Sequence, residues 1–320
     1  MRENKIKKVR FFNLDLLYML EGIRNPLLDA FFSAITYLGD EAAFIVMVLI
    51  LFWCVDKTTG YYLSAVGFCG AVSNLALKMT FRVPRPWVLD PAFTIVESAR
   101  EAATGYSFPS GHTQNAVGIY GALALTRKQT WAKLLCLCAI VFVPISRMYL
   151  GVHTPADVGV SFVLAIVLAL ILYPLYRRAD RGLCELIVLL TPALALGIAC
   201  LVYFALADFP AEAADHLAHA SENVWKMTGA AAAMLLTGIV DRCWLQFETR
   251  APWYAQILKT VLGLALVMGL KAGLKVVFAS FLPQTLADFV RYFLTVAAAG
   301  IFWPMTFKFW RKKQERSSRT

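Results

Sequence analysis

The chain has 320 residues, 59% hydrophobic and 16% charged, with a mean hydropathy of +0.61. That much apolar side chain excludes a water-soluble globular protein and indicates a polytopic membrane protein. The net charge of +10 does not indicate a nucleic-acid partner, because the basic residues are spread over short loops and both tails, where they flank membrane helices.

The basic start, with Arg2, Lys5, Lys7, Lys8 and Arg10, leads into residues 11–38, which carry Asp15, Glu21, Arg24 and Asp29. No small-residue cleavage pattern follows, so no cleavable signal peptide is expected. Charge interrupts this stretch and Asn25-Pro26 divides it, which suits two short amphipathic helices lying in the membrane interface better than a crossing. Apolar runs long enough to span follow at roughly 40–55, 59–80, 109–126, 131–147, 156–175, 183–206, 224–240, 256–279 and 287–307, about nine transmembrane helices in all. The expected fold is therefore an all-α polytopic membrane bundle. It divides into an interfacial N-terminal region (1–38), a catalytic membrane domain (39–179) and an accessory C-terminal transmembrane region (180–320). The seven cysteines lie mostly inside apolar runs with no CxxC pair and read as small buried side chains, neither a disulfide framework nor zinc ligands. The link from Phe81 to Phe108 holds Pro84, Pro86, Pro91, Glu97 and Glu101. It is too polar for lipid and is expected to fold over a polar site.

Three polar clusters sit at the ends of apolar runs. Lys78 and Arg85 close the run from Tyr61. Tyr106-Ser107-Phe108-Pro109-Ser110-Gly111-His112-Thr113 opens the run from Ala116. Ser146-Arg147 and, after a short turn, His153-Thr154-Pro155-Ala156-Asp157 join the run ending at Ile145 to the one starting at Val158. Pro-Ser-Gly is a helix start, with the serine as cap and the glycine allowing close approach to the backbone. Free N–H groups and the positive end of the helix dipole make such a start a seat for phosphate, and His112 stands beside it. Thr154 and Pro155 read as the cap and first position of the next helix, so Asp157 falls in its first turn. Helical side chains lean toward the N-terminus, which returns the Asp157 carboxylate to His153, where it can fix the imidazole tautomer and stabilise its cation. His153 is thus the expected nucleophile. Lys78, Arg85 and Arg147 would neutralise the phosphoryl oxygens, the Ser110–Gly111 region would donate hydrogen bonds to them, and His112 would protonate the leaving oxygen and then activate water. With that countercharge in place no metal and no cofactor is expected. Asp208, Glu212, Asp215, His216 and His219 read as an acidic solvated loop, and Lys271 and Lys275 as snorkelling side chains.

Lys78-x6-Arg85-Pro86, Pro109-Ser110-Gly111-His112 and Ser146-Arg147-x5-His153-x3-Asp157 together resemble the three-part signature of the type 2 phosphatidic acid phosphatase (PAP2) superfamily, which also contains vanadium haloperoxidases. The resemblance covers roughly residues 40–176. Flanking Leu38-Gly39-Asp40-Glu41 and Phe52-Trp53-Cys54-Val55-Asp56 are similar to bacterial members and, more faintly, to sphingosine-phosphate phosphatases. The last segments, with Lys271, Lys275 and Arg291-Tyr292, resemble an accessory helical region of bacterial members. The resemblance implies a PAP2-like core bundle, a phosphohistidine at His153 and a substrate among membrane lipid phosphates: undecaprenyl diphosphate, phosphatidate, phosphatidylglycerol phosphate or a sphingoid-base phosphate. Transfer of the phosphoryl group to an acceptor lipid and a non-enzymatic lipid-binding protein or flippase are the alternatives, the latter having no need of the His153–Asp157 pair. No sequence feature sets an oligomeric state.

Counting helices brings the three clusters to one membrane face. The opposite face receives Arg127 and Lys128, then Arg177, Arg178 and Arg181, then Arg242 and Arg250, and the basic tail from Lys308. By the positive-inside rule that face is cytoplasmic and the site extracytoplasmic in the cell membrane. The same count places the basic N-terminus outside, against the rule.

Overall fold

The structure, a computed structural model, describes residues 14–309 apart from residue 102. The N-terminal basic cluster and the C-terminal tail from Trp310 fall outside these residues. All described elements are helical. In chain order the helices of eight or more residues are α1 (Asp15–Gly22), α2 (Pro26–Thr36), α3 (Glu41–Ile50), α4 (Lys57–Phe81), α5 (Gly111–Thr126), α6 (Thr130–Tyr149), α7 (Pro155–Ala179), α8 (Leu183–Leu206), α9 (Ala214–Val240), α10 (Trp253–Ala279) and α11 (Gln284–Ala297).

Asn25 ends the α1 region and starts α2 as expected: its side chain accepts from the N–H groups of Leu27 (3.1 Å) and Leu28 (3.0 Å), and Pro26 takes the first helical position. Six segments are long and apolar enough to cross a membrane: 57–89, 130–149, 155–179, 183–206, 253–278 and 284–309. A seventh arises if residues 26–39 and 41–55, bent by 53°, count as one broken span. That pair contains the expected span 40–55, so it adds no crossing to the count. The other two expected spans, 109–126 and 224–240, are not among these segments. α5 has 16 residues, and α9 carries Asp215, Glu222 and Lys226 in its first half.

The chain divides into two compact units and passes from one to the other inside α3, α4, α7 and α9 and just after α8. The first comprises residues up to 44, 70–171 and 208–220. Its centre is the α5–α6 pair, which packs Ala116, Val117, Ile119 and Ala122 and buries Cys136, Ala139 and Val143. The link 81–108 covers the turn after α6, where Ala99, Ala103, Tyr149, Leu150 and Val152 cluster with Leu28, Phe32, Trp87 and Val96 around them.

The second unit comprises 45–69, 172–207 and 221–320. Here Trp53 is fully buried and donates from Nε1 to the carbonyl of Ala299 (2.9 Å). Lys57 pairs with Asp241 at 2.7 Å, and the Thr58 hydroxyl donates to Asp180 at 2.5 Å. These contacts tie the start of α4 to the loops after α7 and α9. All seven cysteines are free, but only Cys69, Cys136 and Cys200 are buried. Cys138, Cys184 and Cys243 are exposed, contrary to expectation, since an apolar run in a membrane helix can face lipid as readily as protein.

Membrane helices associate through close packing rather than through exclusion of water, and small residues mark where backbones approach. At Gly229 on α9 a Cβ would lie 2.4 Å from the carbonyl oxygen of Phe289 on α11. A backbone atom cannot swing aside. Gly229→Ala is expected to destabilise this unit by about 1–3 kcal/mol through overpacking, seen as a lower midpoint of thermal unfolding in detergent. An unchanged midpoint would mean that the two helices separate without cost.

Candidate active site

The three polar clusters converge in the first unit, around His153. Ser110 caps α5, its Oγ accepting from the Thr113 N–H at 3.4 Å. Its own N–H is committed to the carbonyl of Asp157 at 3.1 Å, so the sequence expectation of donors from this turn narrows to the Ser110 hydroxyl and the first-turn N–H groups of Gly111 and His112. At the start of α7, Thr154 and Asp157 form a reciprocal cap. The Thr154 N–H donates to Asp157 Oδ2 at 2.7 Å, and the Asp157 N–H to Thr154 Oγ1 at 3.3 Å. This cap fixes the carboxylate where the leaning of helical side chains directs it. Oδ2 stands 3.4 Å from His153 Nδ1 and accepts from the Ser107 hydroxyl at 2.6 Å.

The cations surround the other edge of the ring. Arg85 Nη1 is 3.0 Å from His153 Nε2. A guanidinium has donors only, so Nε2 must present its lone pair and Nδ1 must carry the proton, toward Asp157. Arg85 also donates to the carbonyls of Thr104 (2.7 Å), Gly105 (3.1 Å) and Val152 (3.0 Å), stapling the link 81–108 to the turn before α7. Lys78 Nζ donates to the carbonyls of Tyr106 (2.6 Å) and Ser107 (3.4 Å). Arg147 is 1% exposed. It gives one donor to Thr36 Oγ1 at 2.7 Å, while its Nε, buried, has no partner among the described residues. A buried guanidinium donor left open this way calls for an anion.

His153, in the turn between α6 and α7, is held well below the ordinary imidazole range by burial first, and then by Arg85, Arg147, Lys78 and His112. It is therefore a neutral imidazole with its Nε2 lone pair turned toward cationic donors. His112 has a different partner: its Nε2 lies 2.9 Å from Asp40 Oδ1.

All eight residues singled out from the sequence (Lys78, Arg85, Ser110, Gly111, His112, Arg147, His153 and Asp157) lie in this unit. Three groups that engage them were not singled out as site residues: Thr36 on Arg147, Asp40 on His112 and Ser107 on Asp157; nor was Asn74, whose Nδ2 donates to the Pro109 carbonyl beside Ser110 at 3.3 Å. Ser107, inside the polar turn, and Asp40, inside the flanking Leu38-Gly39-Asp40-Glu41, left a local trace; Thr36 and Asn74 left none. The acidic stretch expected as a loop is helical from Ala214 onward, within α9, and His216 there sets its ring centroid 4.3 Å from that of Tyr106.

The PAP2 superfamily model matches residues 58–181, and a model described as the transmembrane extension of PAP2 superfamily phosphatases matches 225–315. The phosphatidylglycerophosphatase B of Bacillus subtilis is 30% identical over 159 residues, covering 46% of this chain and 74% of its own. The undecaprenyl-diphosphatase BcrC of the same organism is 29% identical over 170 residues, covering 50% and 82%. A dihydrosphingosine 1-phosphate phosphatase of Schizosaccharomyces pombe is 30% identical over 171 residues; there the match spans 48% of this chain but 40% of the yeast protein. Among solved structures, that of Aquifex aeolicus LpxE has 27% identity and a TM-score of 0.44, with 50% of this chain and 93% of that one covered. The chain belongs to the PAP2 superfamily. It is a multi-pass membrane member that also carries the transmembrane extension.

The position of Arg85 gives a test of which group sets the acid limit. As the expected nucleophile His153 would have to be neutral to attack, so on that reading the acid limb of kcat/KM is expected below the usual imidazole value of about 6.5. Arg85→Gln removes the nearest cation, so that limb should move to higher pH, apart from any fall in the plateau. Titration of the substrate is common to both enzymes and cancels. A limb unmoved by the substitution would mean that another group controls it.

Proposed function

We propose that the protein is a membrane lipid phosphatase that hydrolyses a lipid phosphomonoester or diphosphate through a phosphohistidine at His153. The observation that carries this reading is the His153 ring itself, with Nδ1 backed by Asp157 and Nε2 facing Arg85 at 3.0 Å. A phosphoryl oxygen entering the site takes over the Arg85 donor and so frees the Nε2 lone pair for attack on phosphorus. Lys78, Arg147 through its open Nε, and the first turn of α5 neutralise the remaining oxygens; each such preorganised donor is worth about 3 kcal/mol in a dry site.

As the N–P bond forms the P–O bond to the lipid breaks, and protonated His112 gives its proton to the leaving oxygen. Asp157 balances the charge on His153, and the 3.4 Å contact has room to shorten as that charge develops. In the second half, water attacks the phosphohistidine, His112 takes its proton, and phosphate leaves with His153 neutral again. An acceptor lipid in place of water would make the same intermediate a phosphotransferase. The substrate class is supported by a phosphate seat at the ends of membrane helices and by relatives named for undecaprenyl diphosphate, phosphatidylglycerol phosphate and sphingoid phosphates.

The test is phosphate release by the purified protein in excess EDTA from undecaprenyl diphosphate, phosphatidate, phosphatidylglycerol phosphate and a sphingoid-base phosphate. Turnover on at least one is expected to survive the chelator, to be inhibited by vanadate, and to vanish in a folded His153→Ala variant. A variant retaining a tenth of wild-type turnover, or activity that returns only with a particular divalent ion, would remove the mechanism.

The site is proposed to face away from the cytoplasm. This rests on the basic loops around Arg127, Arg178 and Arg242, which the helix count puts opposite the site, and on the contact of the acidic stretch with Tyr106. In a background without native cysteines, Glu212→Cys, at an exposed position, should react with an impermeant thiol reagent in intact cells. Lys128→Cys, also exposed, should react only after the membrane is opened. The opposite labelling pattern would invert the orientation.

A further inference from the structure

We infer that Asp40 is the positioning carboxylate of His112, which makes the segment 26–40, outside the stretch matched by the PAP2 superfamily model, a working part of the active site. The inference rests on the proposed role of His112 as acid and base for the leaving oxygen.

The contact is built rather than incidental. Gly39 lies against the start of α5 so closely that a Cβ there would stand 2.8 Å from the carbonyl oxygen of His112, 2.9 Å from Val143 Cγ1 and 3.1 Å from His112 Cβ. Asn115 Nδ2 donates to the Gly39 carbonyl at 3.3 Å. Only bare backbone fits between these groups, and the next residue then delivers its carboxylate to His112 Nε2 at 2.9 Å. The same segment reaches the site twice more. Thr36 Oγ1 accepts from Arg147 Nη1 at 2.7 Å, and Asp29 Oδ1 accepts from the Tyr149 hydroxyl at 2.7 Å, beside the turn that carries His153.

The chemistry follows from the charges around the ring. Burial above all, then Arg147 at the end of α6 and Arg85 on the link, disfavours a proton on His112, and His153 faces it as a further potentially positive group. Asp40 is the facing group that favours one. An ionised carboxylate accepts only, so the 2.9 Å contact places a proton on Nε2 and leaves Nδ1 as the nitrogen that exchanges a proton with the leaving oxygen. Imidazolium Nδ1–H is given up as the P–O bond breaks, and the same nitrogen takes the proton of the attacking water. Asp40 touches neither substrate nor phosphorus, and works by holding the tautomer and the proton affinity of His112.

Nitrogen-15 NMR of the histidine-labelled protein in detergent reads this directly, because the chain has four histidines and each can be assigned by substitution. In the wild type, neutral His112 is expected as the Nε2–H tautomer. In Asp40→Asn its titration should shift about one unit lower, the usual scale for loss of an adjacent carboxylate. The variant should also lose about tenfold in kcat on an alkyl phosphate at pH values above that titration. It should lose little on p-nitrophenyl phosphate, whose leaving group departs without a proton. A merely structural contact would lower both rates alike and leave the tautomer unset.

An Nδ1–H tautomer in the wild type overturns the inference without recourse to a variant. So does an unmoved titration in Asp40→Asn, or an equal loss on the two esters. If the wild type released phosphate from neither ester while the titration still shifted, the phosphatase reading would fall and the Asp40–His112 pairing would stand.

Discussion

One neutral imidazole surrounded by buried cations is the constraint on which the rest of the first unit depends. Placing a proton on His153 would set a positive ring 3.0 Å from Arg85, a repulsion on the order of 5 kcal/mol at an effective dielectric constant near 20. The ring therefore stays neutral, and what would be a poor environment for an ordinary histidine becomes a good one for a nucleophile. The same crowding makes the empty site unfavourable for Lys78, Arg85 and Arg147. Each is held by carbonyl or hydroxyl oxygens that spread its charge without cancelling it. An incoming dianion cancels it.

That requirement explains the arrangement of the backbone. Arg85 uses three donors to bind carbonyls of the link and of the turn before α7, and Lys78 holds the carbonyls of the polar turn. The cations are consequently structural fasteners and countercharges at once. A lysine at position 85 would keep the charge and lose the planar fork that joins residues 104, 105 and 152.

Much of this was legible in the sequence, and the pattern of what was not has a physical reason. Composition alone identified a membrane bundle, and the three clusters could be assigned to one face because helix ends alternate between faces. Asp157 was readable beside His153 because the two lie within one helical turn, where spacing fixes geometry. Thr36 and Asp40 were not readable as site residues. Their partners Arg147 and His112 are 111 and 72 positions away, and no local periodicity encodes a contact that tertiary packing makes. The count of spans failed to resolve for a related reason. Hydropathy registers apolar length, whereas α5 has only 16 residues, and α9 mixes a charged first half with an apolar second.

The open Nε of Arg147 and the fixed cations beside it have a kinetic corollary. Under the proposed function, charge complementarity of this kind would recognise a phosphoryl group without telling an ester from the free dianion that hydrolysis leaves behind. Discrimination would then reside in the lipid tail, which contributes affinity through the bilayer and leaves with the alcohol. Inorganic phosphate would remain as a competitor for its own birthplace, and the rate at which it escapes would set an upper bound on the turnover of the whole cycle.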